Sequence, residues 1–398
     1  MIEFSQPVVN IGLLGHVDHG KTTLTKAITG KWTDTHSEEI KRGISIRLGY
    51  ADAKIYFCAK CKLYGTKEKC LKCGGKTELK RWVSFVDSPG HESLMTTAIA
   101  ASSIIDGALL LIAANEPCPQ PQTEEHLMIL NILGIRNIIV VQTKIDLVSK
   151  ERAIEHYKEI KNFLKGSAAE NAPIIPVAAI SGVNVEKVLE AIEKYIPTPK
   201  REENAPPLML VSRSFDVNKP GTPIPELKGG VLGGSLVRGK IKIGDELEIS
   251  PGIERNGTQK QIRFRVEKLM VENKEINEAR PGGLVAIGTD LDPSLTKSDQ
   301  LAGSILSLPG KTPAPRNVIE IKYNLLDRKD IENPPLKEGE PIVVNVYTAT
   351  DVGVIAKLGK GIATIKLKRP MVFEKGNKAA LSRRIGQRWR LAGWGEVV

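Results

Sequence analysis

The chain has 398 residues, of which 41% are hydrophobic and 26% charged. At ~150 residues per domain this predicts two or three domains, and the balance excludes global disorder and a fibrous repeat. The net charge of +11 is uneven: residues 1–200 hold 25 basic and 22 acidic residues, whereas 351–398 hold 11 basic and 3 acidic. A basic terminal segment on a nearly neutral body points to a polyanionic partner. The N-terminus lacks the basic region of a secretory signal, and no run of ~18 apolar residues exists. The longest apolar stretch, Ile104 to Ala114, is broken by Asp106 and reads as a buried strand. A cytoplasmic protein with reduced cysteines is expected.

In chain order, Val8–Leu14 is a short apolar run of the kind that forms a strand covered on both faces. Gly15-His-Val-Asp18-His19-Gly20-Lys21-Thr22 follows it and fits G-x-x-x-x-G-K-[ST], ahead of a helical stretch at Thr23–Ile28. In that context glycines let backbone N–H groups face phosphate oxygens, and the helix N-terminus adds positive potential. The expected contacts come from Asp18, His19, Gly20, Lys21, Thr22 and Thr23. Lys21 reaches the β- and γ-phosphates, and the Thr22 hydroxyl ligates Mg²⁺.

Residues 54–81 form an insert with nine Lys/Arg and two acids. It contains Cys58-x-x-Cys61 and Cys70-x-x-Cys73, a spacing that places four thiolates on one tetrahedral metal, so a zinc knuckle is expected. The fifth cysteine, Cys118, stands apart between prolines and reads as structural or incidental.

Trp82–Asp87 is the next strand and ends in Asp87-Ser-Pro-Gly90. A carboxylate there holds Mg²⁺ through water, and the Gly90 N–H meets the γ-phosphate. Further strands are expected at Ala108–Ala114, Ile138–Gln142 and Ile174–Ala178. Ile138–Gln142 leads into Thr143-Lys144-Ile145-Asp146. An aspartate at that place accepts both the ring N–H and the exocyclic amine of guanine, which adenine does not offer. Ala178, Ala179 and Ile180 close the last of these strands and present a backbone N–H to guanine O6. Val185–Ile196 has apolar residues at three- and four-residue spacing, a helix with one buried face. Alternating β and α predicts a doubly wound, mostly parallel sheet over residues 1–200, with every motif at a strand's carboxyl end, where such sheets bind ligands. The ligand read from these residues is GTP or GDP with Mg²⁺.

The stretch Pro197 to Pro207 is proline-rich and charged, a linker. Beyond it the period changes to two, as in Glu246–Ile249, Arg263–Val266 and Thr364–Leu367, with glycine and proline turns. Two small β-barrels are expected, at 207–311 and 312–398, with the boundary near Leu308–Pro315.

The Gly15–Thr25 run and Asp87-Ser-Pro-Gly-His91 resemble the translational GTPases, the superfamily of elongation factor Tu. Three further stretches, Trp32–Ile46, Asn115–His126 and Ser214–Gly221, together with the cysteine insert, are similar to the gamma-subunit family of archaeal and eukaryotic translation initiation factor 2, archaeal branch.

That resemblance implies several roles. Ser45 in the first switch, where a Thr is usual, supplies a hydroxyl to Mg²⁺. His91 orients the attacking water. A second Mg²⁺ is allowed at Asp18 and the Gly43 carbonyl. Thr143 stands where the family usually has Asn, and Ala178 where it has Ser. The implied function is GTP-dependent carriage of initiator methionyl-tRNA to the small ribosomal subunit, with companion alpha and beta subunits and release on hydrolysis. The first barrel would help hold the aminoacyl end of the tRNA, and the basic residues of 351–398 a phosphate backbone. The rival readings are an elongation-type factor carrying another aminoacyl-tRNA, and a GTP-binding platform without its own turnover.

Overall fold

The computed structural model describes residues 4–33, 48–89, 95–255, 258–272, 274–328 and 331–398, and the chain divides into two compact units, 1–199 and 200–398.

In the first unit the described strands are β1 (Val9–Gly15), β2 (Gly49–Cys58), β3 (Leu63–Gly65), β4 (Glu78–Asp87), β5 (Gly107–Ala113), β6 (Ile138–Thr143) and β7 (Ile174–Pro176). The helices are α1 (Lys21–Thr29), α2 (Met95–Ser102), α3 (Pro121–Leu133), α4 (Lys150–Leu164) and α5 (Val185–Tyr195). The sheet order is β3-β2-β4-β1-β5-β6-β7. β4, β1, β5, β6 and β7 run parallel, in register such as Leu13↔Asp87 and Leu13↔Leu109, while β2 and β3 add antiparallel at one edge. β1 lies between β4 and β5, the point where strand order reverses and a crevice opens beyond the carboxyl ends.

The centre of the sheet is apolar because it is covered on both faces. β1 and β5 are buried along their whole length. Val9, Ile11, Leu13, Phe85, Leu109, Leu111 and Val141 share one cluster with Leu24 and Ile28 of α1 and Val188, Leu189 and Ile192 of α5. Helix ends follow the sequence: Gly30 and Gly134 take left-handed conformations just past α1 and α3, and the Ser149 side chain caps α4 by accepting from the Arg152 N–H. β2 and β4 run on past the core into the cysteine segment, so that segment is the tip of an antiparallel strand pair.

The second unit contains two closed antiparallel barrels. Its strands are β8 (Leu208–Phe215), β9 (Val231–Arg238), β10 (Ile241–Lys242), β11 (Glu246–Arg255), β12 (Thr258–Val271), β13 (Lys274–Glu275), β14 (Glu278–Ala279), β15 (Val285–Thr289) and β16 (Ile305–Ser307), then β17 (Arg316–Leu325), β18 (Pro341–Val346), β19 (Ala349–Gly359), β20 (Ile362–Met371), β21 (Lys378–Ile385) and β22 (Arg388–Val397). The first ring runs β11-β16-β8-β9-β15-β12 and closes through β11–β12 pairing. The second runs β17-β20-β19-β18-β21-β22 and closes through β17–β22. Period-two residues drive both: in β20 Ala363, Ile365 and Leu367 face a buried core while Lys366 and Lys368 face solvent. Among the described residues, no helix is long and apolar enough to cross a membrane.

Candidate functional site

The phosphate loop is built by backbone geometry first. At the end of β1, Gly15 takes φ +144, and a Cβ there would collide with the Leu111 carbonyl oxygen, so no side chain fits. Asp18 at φ 61 and Gly20 at φ 83 turn the chain back so that α1 opens at Lys21. Left-handed residues ahead of a helix N-terminus aim N–H groups into one concavity, which suits an anion. The Lys21 side chain is buried and its ammonium donates to the carbonyls of Gly15 (2.9 Å) and His16 (2.7 Å), so it is held over the mouth of the loop.

Three side chains outside Lys21 fix the loop's shape. The Thr143 hydroxyl donates to the His19 carbonyl at 2.8 Å, bracing the phosphate loop from the end of β6. This is the bracing half of what the more usual Asn would do, and Thr143 retains it. The His19 ring is buried, with Nδ1 2.9 Å from the Leu111 carbonyl and Nε2 3.3 Å from a Glu116 oxygen. Burial outweighs the pull of Leu111 and Glu116 and lowers its pKa to about 4, so it is neutral near pH 7. His126 of α3 accepts the Gly15 N–H through Nδ1 at 2.7 Å. It is fully buried, and burial first, then Lys21, lowers its pKa to about 3. An accepting Nδ1 and a neutral ring fix the Nε2–H tautomer. Sequence reasoning misses His126 as a site residue.

Two of the residues expected to hold the cation, Thr22 and Asp87, lie in contact. Thr22, on the first turn of α1, donates its hydroxyl to Asp87 Oδ2 at 2.8 Å, and Thr33 donates to the same oxygen at 2.6 Å. The pairing Leu13↔Asp87 carries that carboxylate to the loop's edge. This hard-oxygen donor set suits Mg²⁺. Asp18 is exposed in its left-handed turn. Gly43, Ser45, Gly90 and His91 lie outside the described residues.

The segment expected to read the base follows the end of β6. Lys144 takes φ 56 and Ile145–Leu147 make one 3₁₀ turn, which leaves Asp146 exposed. The Val177 N–H bonds the Gln142 carbonyl at 2.8 Å, setting the Ala178–Ile180 loop beside it. The Ser181 hydroxyl and a bridge between Ala178 and Val183 hold that loop. Thr143, Lys144, Asp146, Ala178, Ala179 and Ile180 thus share one sheet edge with the phosphate loop.

The cysteine cluster is separate. The sulfurs of Cys58, Cys61, Cys70 and Cys73 all lie within 4.8 Å of one another, and those of Cys58 and Cys73 are 3.7 Å apart. Metal–sulfur bonds of ~2.3 Å in a tetrahedron require sulfurs ~3.8 Å apart. The N–H groups of Cys73 and then Lys72 face the Cys70 sulfur and draw its pKa down to about 6, while hydrogen bonding with the Cys73 thiol first pushes that of Cys61 up to about 12. Cys118 takes no part: it is free, its thiol is pushed up to about 12 by burial, and its N–H bonds Glu159.

The family described as elongation factor Tu GTP binding domain matches residues 6–198, and that described as initiation factor eIF2 gamma, C terminal, matches 317–397. The first match, on this fold and loop, makes the protein a translational GTPase. Over 401 aligned residues it is 55% identical to translation initiation factor 2 subunit gamma of Methanocaldococcus jannaschii and 54% identical to that of Pyrococcus furiosus, covering 98% of each chain. The chain belongs to the gamma-subunit family of translation initiation factor 2.

Solved structures share the architecture. A bacterial selenocysteine-specific elongation factor superposes over 98% of this chain with TM-score 0.76 at 27% identity, this chain spanning 58% of that one's length. Elongation factor SelB of Methanococcus maripaludis superposes with TM-score 0.75 at 23% identity, over 100% of this chain and 80% of that one. Whole-length identity to initiation factors favours the initiation reading over the elongation one.

Proposed function

We propose that this GTPase, loaded with GTP, carries initiator methionyl-tRNA to the small ribosomal subunit alongside companion alpha and beta subunits, and that hydrolysis to GDP releases it. The observation that carries the proposal is end-to-end similarity to initiation factor gamma subunits, on a chain whose phosphate loop, hydroxyl–carboxylate pair and base-reading loops share one sheet edge.

Each residue has a task. The loop N–H groups from Asp18 to Thr23 and the Lys21 ammonium bind phosphate oxygens. Thr22, Asp87 and Ser45 would hold Mg²⁺, which would neutralise charge developing on the transferring phosphoryl group. Gly90 donates its N–H to the γ-phosphate, and Asp18 with the Gly43 carbonyl offers a second cation position. Asp146 selects guanine through paired hydrogen bonds, and Ala178, Ala179 and Ile180 face O6. His91 orients the attacking water. Cys58, Cys61, Cys70 and Cys73 hold Zn²⁺ as a structural clip. The domains are 1–200, 207–311 and 312–398, and the protein works in the cytoplasm.

The test is tRNA affinity in GTP against GDP, for initiator and elongator tRNA. Tight binding only of initiator tRNA with GTP is expected; equal affinity for both tRNAs refutes the proposal. Single-turnover hydrolysis with and without small subunits, with His91→Ala alongside, separates a true GTPase from a passive platform.

A further inference from the structure

Of the nine cations counted in residues 54–81, three are engaged by the domain. Arg81 is buried and ion-paired to Glu193 at 2.7 Å, Lys80 pairs Glu78 at 2.8 Å, and Lys54 lies 4.8 Å over the Trp82 ring. The other six, Lys60, Lys62, Lys67, Lys69, Lys72 and Lys76, are all exposed and make no ion pair among the described residues. The segment's two acids have other partners, Glu78 in Lys80 and Glu68 in the Tyr56 hydroxyl. The turn around the cysteines is rigid: the Gly74 N–H bonds the Cys70 carbonyl and the Cys70 N–H bonds the Gly75 carbonyl, both at 2.8 Å. A stiff tip therefore presents six lysines to solvent, and among the described residues no carboxylate pairs with any of them.

We propose that this cysteine tip is a contact for the phosphate backbone of folded RNA, separate from the nucleotide site. Choosing RNA among polyanions rests on the function proposed above. The side-chain types fix the kind of contact. Lysine is a point charge that follows phosphates, whereas base reading favours the planar fork of Arg, and the exposed cations here are all lysines. The tip's aromatics are not stacking platforms: Phe57 and Tyr64 pack on each other at 4.9 Å and are half-buried. Binding is thus sequence-independent and salt-sensitive. A protein partner would need a buried anchor, and among the described residues the tip offers a single large exposed apolar side chain, Leu71, 84% exposed.

The test uses the full-length, zinc-loaded protein and a 20-base-pair RNA duplex, with binding followed by fluorescence anisotropy at several salt concentrations. Lys67→Ala, Lys69→Ala and Lys72→Ala combined remove up to three phosphate contacts. The slope of log affinity against log salt should fall in magnitude by about 2, which at the low-salt end of a fourfold range is roughly a 15-fold loss relative to wild type. Zinc content should be unchanged, two duplex sequences should behave alike, and the triple Lys→Arg variant should keep the wild-type slope. An unchanged slope in the Ala variant overturns the proposal, as does an equal loss in the Arg variant, or a loss confined to companion-subunit binding. Each of these leaves the GTP-dependence of tRNA affinity standing, so failure here and failure of the proposed function are distinguishable.

Discussion

Replacing His126 separates its support of the loop from mere filling of space. His126→Phe keeps a ring of similar size in the core but removes the acceptor for the Gly15 N–H, 2.7 Å away. Gly15 is buried where the sheet turns into the loop, so its N–H cannot turn to water. Leaving such a donor unmade costs ~1–3 kcal/mol. His126→Asn places an amide oxygen near the same position and should recover much of the loss. The assay is urea unfolding of the nucleotide-free protein, paired with GDP affinity measured by a fluorescent analogue. Stability should fall by ~1–3 kcal/mol in the Phe variant, with the Asn variant between it and wild type. If distortion reaches the phosphate cradle, GDP affinity should fall ~5-fold or more, since each ~1.4 kcal/mol is tenfold. A Phe variant with wild-type stability and GDP affinity would show that the Gly15–His126 bond does not shape the loop.

Three other predictions can be checked on the same protein. Thr143→Val removes the hydroxyl that braces the His19 carbonyl, and GDP affinity should drop by about 1 kcal/mol, roughly 5-fold, in a displacement titration. Arg81→Met strands Glu193 and frees the carbonyls of Ile192 and Ile196, so chemical unfolding should show a loss of ~3–5 kcal/mol, far more than for any exposed lysine of the tip. His19 and His126 have folded pKa values lowered to about 4 and about 3, so protons bind the unfolded chain near pH 6.5 but not the folded one. Stability from these rings is therefore full above pH 6.5 and lost as pH falls, by up to ~3 kcal/mol per ring between pH 6.5 and 4. The His126→Asn variant should show a flatter acid limb; an identical limb would contradict the assignment.

The residues that local geometry brings together are legible in the sequence. A glycine loop between a strand and a helix fixes Lys21 and Thr22 within eight residues, and the paired cysteines meet in one cluster as their spacing alone predicts. What stays hidden depends on distant pairing. His126 meets Gly15 across 111 positions, and in sequence it is only the last residue of the family-like stretch Asn115–His126. Thr33 reaches Asp87 from outside every phosphate- or base-binding motif. Charge counting also misleads at some cations. Arg383, counted with the basic segment, is buried and bonded to Glu340, Asn333 and Pro334 rather than facing phosphate. Arg369 and Lys378 are likewise engaged, with Asp351 and Glu396, so the exposed positive face of the second barrel is narrower than its composition suggests. Lys357, Lys360, Lys366, Lys368, Lys375 and Arg384 remain exposed there.

One strand gives the first unit an outrigger. β4 begins at Glu78, beside the cysteine tip, and ends at Asp87, beside the phosphate loop. Nine steps of ~3.3 Å separate the two ends by about 30 Å. Whatever grips the tip therefore holds the domain at arm's length from the nucleotide, where it can moor the protein without obstructing GTP entry or GDP exit. Arg81, bonded to the carbonyls at the end of α5, ties that arm to the helix partway along.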